Sequence, residues 1–149
     1  MNPAPLAHPR LLYDCFEHSA RLHPGRVAVD VPPGPDRAQR TLVTYRQLQE
    51  QVEALAARLG SFARPDVVIG VLLPRSSHWV YVAQLAVLKA GGAFACIDPS
   101  FPDAHVQAVL DDSEMSVLLT DAQGLARIRE SALRVGHVID VAAPSLASQ

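Results

Sequence analysis

Residues 88–102 read LKAGGAFACIDPSFP. An apolar run ends in Gly91-Gly92, a second apolar segment surrounds Cys96, and Asp98-Pro99 closes the stretch. Such a stretch is either a glycine loop that cradles a phosphate or a tight corner between a helix and a buried strand. Direction decides between the two. Phosphate loops run from a strand into a helix N-terminus, where free N–H groups and the positive end of the dipole face the anion. This stretch runs from helix to strand. Helices commonly stop at a glycine in the left-handed conformation, and a second glycine lets the chain turn sharply. The glycines are therefore a corner, with a buried strand expected over Gly92–Ile97.

The neighbouring segments follow the same logic. Val67–Leu73 is a continuous β-branched and Leu-rich run, as expected of a strand buried on both faces. Ser76 or Ser77 caps a helix over His78–Ala90, which carries few polar residues and is expected to be largely buried. Downstream, Ser100 offers a cap to a helix over Phe101–Asp112, with Asp103 at the third capping-box position and Pro102 in the first turn. Met115–Thr120 reads as a strand and Ala122–Leu133 as a helix through Leu125, Ile128 and Leu133, interrupted early by Gly124. His137–Val141 reads as a last strand. The order β-α-β-α-β-α-β with short connections predicts parallel strands joined by helical crossovers.

Ahead of that region, Leu11–Leu22 reads as an amphipathic helix with Leu12, Phe16 and Ser19 near one face and Cys15 and Leu22 beside them. Val27–Val31 and Thr41–Thr44 read as short strands forming a hairpin or an edge pair, separated by polar turn material. Thr44 and Gln47 form a capping-box pattern that opens a helix through Leu48, Val52, Leu55, Ala56 and Leu59, with Gly60 as the stop. The fold class is α/β, a mostly parallel sheet with flanking helices and a short β-rich lead-in near the N-terminus. Residues 1–10, with three prolines, read as a flexible arm, 11–141 as the α/β part and 142–149 as a tail.

Composition narrows the function classes. The 149 residues are 49% hydrophobic and 19% charged, with a formal net charge of −2, which suits a globular chain able to bury a core. Basic residues are scattered, so neither nucleic acid nor an anionic membrane surface is an expected partner. The longest strong apolar stretches, Val67–Leu73 and Trp79–Leu88, fall well short of the roughly 18 residues a membrane span needs. The N-terminal MNPAPLAHPR has no continuous apolar core of a secretory signal, and a cytoplasmic location is expected. Cys15 and Cys96 fit no zinc or redox spacing and read as two reduced core thiols.

The candidates for chemistry are few. Neither G-x-G-x-x-G nor G-x-x-x-x-G-K-[ST] occurs, and the single lysine, Lys89, precedes the glycines, where it serves as a cation near a helix C-terminus. The six histidines, His8, His18, His23, His78, His105 and His137, are dispersed, without an i, i+4 pair for a metal. Without a G-x-S-x-G elbow, Ser76, Ser77 and Ser100 read as caps. Asp111, Asp112 and Glu114 read as a solvated helix end, and Trp79 and Phe101 as core or lid residues. Residue by residue, no catalytic, cofactor-binding or metal site is found.

Two segments carry a resemblance. TLVTYRQLQEQVEALAARL (41–59) resembles the first core motif of the adenylation domains of nonribosomal peptide synthetases, a T/S-Y-x-E-L pattern opening a helix. LKAGGAFACIDPSFP resembles their second, L-K-A-G-x-A-Y-V-P-I-D-P followed by an aromatic and Pro. IGVLLPRSSHWVYVAQLAVLKAG between them, and VLDDSEMSVLLTD after them, are similar to the family in order and spacing. The resemblance covers most of Leu11–Val141. Gln47 replaces the usual Glu, Cys96 the usual Pro, Ala95 the usual Val and Phe94 the usual Tyr.

The resemblance implies the N-terminal portion of a larger adenylate-forming fold, among the AMP-forming ligases. The intact family enzyme uses ATP and Mg²⁺ to make an acyl-adenylate and loads the acyl group onto the phosphopantetheine thiol of a carrier protein. The family's phosphate loop, substrate pocket and catalytic lysine match no part of this sequence, so the chain alone is expected to be inactive. Its implied partners are the remainder of an adenylation domain or of a synthetase module. A truncated domain, half of a split synthetase, an acyl-CoA synthetase-type fragment, a non-catalytic interaction module and a flavodoxin-like binding domain are the alternatives.

Overall fold

A computed structural model describes residues 11–143, so the arm over 1–10, with His8, and residues 144–149 of the tail lie outside the described residues. The chain forms two compact units, Met1–Gln51 and Val52–Gln149.

In the first unit, α1 (Leu12–Leu22) is followed by β1 (Val27–Val31) and β2 (Thr41–Thr44), which pair antiparallel as a hairpin. Its register sets Val29 against Val43 and Val31 against Thr41, and Val29, Val31 and Val43 are all buried. The buried stripe of α1 differs from the expected one. Tyr13 and Ala20 are buried, whereas Leu12 is 70% exposed and Leu22 and Cys15 are also exposed. Aromatic packing turns the helix: Phe16 lies 5.7 Å from Tyr13 and 6.2 Å from Tyr45, ring centre to ring centre. These large rings bury more apolar area than the leucine stripe would.

Helix α2 (Tyr45–Leu59) spans the boundary between the units. The expected capping box is present: the Thr44 amide donates to Gln47 Oε1 at 2.9 Å, and the Gln47 amide donates to Thr44 Oγ1 at 3.2 Å. Leu48, Val52, Leu55, Ala56 and Leu59 are all buried, as their spacing predicts.

The second unit holds β3 (Val68–Leu72), α3 (Trp79–Lys89), β4 (Ala93–Ile97), α4 (Asp103–Asp112), β5 (Val117–Thr120), α5 (Ala122–Glu130) and β6 (His137–Asp140). Four parallel strands lie in the order β4-β3-β5-β6. Strand β3 is central, and its Ile69, Gly70, Val71 and Leu72 are buried. Helix α3 covers one face with Val82, Ala83, Ala86 and Val87, all fully buried. On the other face, Val106 and Leu110 of α4 join Leu72, Ile97, Met115, Leu118 and Leu133 in one apolar cluster.

The expected strand over Gly92–Ile97 is present, but it is not buried. Strand β4 ends the sheet, only its Ile97 is fully buried, and Cys96 is an exposed free thiol. Both cysteines are therefore surface thiols and not core residues; Cys96 stands on the edge strand, where its Sγ accepts from Gln84 Nε2 of α3 at 3.2 Å. The start of α4 also differs. Ser100 does not cap it; the Ser100 amide instead donates to Asp98 Oδ1 at 2.9 Å. Pro102 pushes the preceding residue out of the helical region, so the helix opens at Asp103. Helix α5 stops at Glu130 because Ser131 is extended, although Leu133 beyond it is still buried.

The corner at 88–102 has a specific geometry. Gly91 adopts φ +92°, its amide donates to the Leu88 carbonyl at 3.2 Å, and the Gly92 amide donates to the Val87 carbonyl at 3.0 Å. These are the paired bonds of a Schellman stop. Helix α4 ends in the same way: the Glu114 amide donates to Asp111 and the Met115 amide to Leu110, with Glu114 at φ 51°. A side chain in the left-handed region is strained, whereas glycine is not. Glu114→Gly is therefore expected to raise stability by about 0.5–1 kcal/mol and Gly91→Ala to lower it by about 1 kcal/mol. Urea unfolding midpoints check both, and equal effects of the two substitutions would contradict this reading.

Candidate functional site

In open α/β sheets, ligands bind outside the carboxyl ends of the strands, where the strand order reverses. Here the chain leaves β3 toward β4 on one side and returns across to β5 on the other, so the reversal falls between β3 and β5. A cleft of about 180 Å³ lies at that place, lined by Leu72, Pro74, Pro99, Asp121, Gln123, Gly124 and Arg127.

Two of its polar side chains, Arg127 and Asp121, are committed to the fold. Arg127 Nε donates to Asp103 Oδ1 at 2.8 Å, Nη1 to the Pro99 carbonyl at 2.8 Å and Nη2 to the Phe101 carbonyl at 2.6 Å. One guanidinium thus pins the β4–α4 connection and the first residue of α4 to α5. Asp121 caps α5 by accepting the Gly124 amide at 2.9 Å. Thr120, buried at the end of β5, donates its hydroxyl to the Leu72 carbonyl at 2.7 Å and ties the two central strands together. Gly124 sits directly over it: a Cβ there would stand 2.9 Å from Thr120 Cβ and closer still to Oγ1, so only glycine fits. The interruption seen in the sequence at Gly124 is this close approach.

A second cleft of about 180 Å³ lies between the ends of β3 and β4, lined by residues that include Arg75, Val80, Cys96, Asp98 and Phe101. The hydrogen bonds from Ser100, with a smaller contribution from Arg75, hold the Asp98 carboxyl below the usual carboxylate range. Both clefts are smaller than the roughly 300–1,000 Å³ of a small-molecule pocket. None of the three strand-to-helix turns is glycine-rich, and among the described residues no group of three His, Cys, Asp or Glu side chains is placed to hold a metal ion.

The sequence candidates remain apart. Lys89 lies exposed in the last turn of α3. Ser77 Oγ accepts the Trp79 amide at 3.3 Å, at the start of α3 as expected. Asp111 accepts from Gln107 Nε2 at 2.8 Å. Phe101 stacks against His105 at 4.4 Å, and Trp79 against His78 at 4.9 Å. His78 Nε2 is buried without a hydrogen-bond partner among the described residues, and burial lowers its pKa from the usual 6.5. Arg127 is the residue that sequence reasoning missed. Its place in the last turn of α5 gives no sequence signal for this role.

A doubly wound α/β scaffold, covered on both faces and closed at its strand ends by side chain–backbone bonds, is the class this geometry defines. The chain belongs to the AMP-binding enzyme family, whose profile matches residues 16–148. It is 38% identical over 131 residues to tyrocidine synthase 3 of Brevibacillus parabrevis, covering 87% of this chain and 2% of that protein. It is 39% identical over 137 residues to syringomycin synthase SyrB1 of Pseudomonas syringae pv. syringae, covering 89% of this chain and 20% of the relative. The solved nonribosomal peptide synthetase FmoA3, bound to alpha-methyl-L-serine-AMP, superposes with a TM-score of 0.77 at 25% identity, over 99% of this chain and 15% of that one. The chain thus matches the N-terminal part of an adenylation domain and spans a small fraction of each relative. No helix among the described residues is long and apolar enough to cross a membrane.

Two outcomes test the site's internal bonds. Arg127→Ala is expected to destabilise the fold by about 2–3 kcal/mol, because it leaves two backbone carbonyls and a carboxylate without their charged donor. Arg127→Lys restores less than half of the loss, since an ammonium cannot span the fork; urea titration reads both. His78 is neutral in the folded state while the unfolded chain binds a proton near pH 6.5. Its contribution to stability is therefore present above that value and declines as pH falls through 6.5 toward the lowered folded value. Replacing His78 by Gln should flatten the loss of stability between about pH 7 and pH 5, and an unchanged slope would contradict it.

Proposed function

We propose that this chain is the scaffold portion of an amino-acid adenylation domain and that it does not catalyse adenylation by itself. The observation that carries the reading is the alignment of the whole described fold with the N-terminal part of adenylation-domain structures. In the complete domain, ATP and Mg²⁺ would be held by segments other than those described. An amino-acid carboxylate attacks the α-phosphorus of ATP and expels pyrophosphate, giving an aminoacyl-AMP. A phosphopantetheine thiol of a carrier protein then displaces AMP and takes the aminoacyl group as a thioester. The role of residues 11–143 is to fix the sheet against which those segments are placed.

A non-catalytic interaction module would need the apolar helix over 78–90 to be exposed. That helix buries its apolar stripe, leaving Tyr81 and Lys89 as its exposed residues, so this surface offers a partner little.

The 149-residue chain is expected to give no ATP–pyrophosphate exchange above background with a panel of amino acids, and no heat of ATP binding at millimolar nucleotide. Amino-acid-dependent exchange by the purified chain would overturn the assignment of the chemistry to other segments.

A further inference from the structure

We draw no further inference here: the strongest candidate, the exposed face of helix α1 that carries Leu12, Cys15 and Leu22, supports none because nothing in the structure shows what covers it.

Discussion

Strand β3 must be covered on two faces and bonded on two edges, and the second unit is built around meeting those four demands. Its residues Ile69–Leu72 are buried and too apolar to face water on either side. Parallel neighbours supply the edges, and a parallel neighbour can be reached only through a crossover. The crossovers α3 and α4 are therefore also the covers: α3 closes the face of Ile69 and Val71, and α4 closes the face of Leu72 through Val106 and Leu110. The buried Thr120 hydroxyl, bonded to the Leu72 carbonyl, joins the carboxyl ends of β3 and β5 where the order reverses. Without that bond the reversal would expose an unsatisfied carbonyl in an apolar interior, at a cost of about 1–3 kcal/mol.

Much of this frame was legible because local signals and tertiary demands agreed. The β-branched run at Val67–Leu73, the capping box at Thr44 and Gln47, and the Gly91-Gly92 stop each state a backbone requirement that holds in any context. What failed were inferences about coverage. An apolar strand reads as buried, but burial depends on a neighbour, and β4 stands at an edge. Cys96 reads as a core thiol for the same reason and is exposed. In α1 the choice between a Leu12 stripe and a Tyr13 stripe turned on where the aromatic rings of Phe16 and Tyr45 lie, which no helical periodicity contains. Proline settled the start of α4 against a serine cap, since a local steric rule outweighs a capping preference.

The candidate site was less legible than the fold. Arg127 closes three separate acceptors across 24 to 28 residues of sequence, and isolated arginines give no sign of such a role. Asp121 was hidden by its neighbours: its capping bond goes to the amide of a glycine that first looked like a helix defect. That glycine is required by the close approach of Thr120. The sequence signal was present at Gly124, but its meaning depended on a residue in the preceding strand.

The bonds that close the turns in this region have a physical logic. Catalytic loops need donors that remain unpaired in the free protein and are met by substrate charge. The turns at the ends of β4 and β5 do the opposite. Ser100 donates to Asp98, Gly124 to Asp121 and Arg127 to Pro99 and Phe101, so these groups hold the turns after β4 and β5. Turns closed in this way are stiff, and stiffness at strand ends is what a sheet needs if distant segments are to be registered against it. LKAGGAFACIDPSFP belongs to the same arrangement. Its glycines fix the angle at which β4 leaves α3, and its Asp98 and Ser100 lock the following turn.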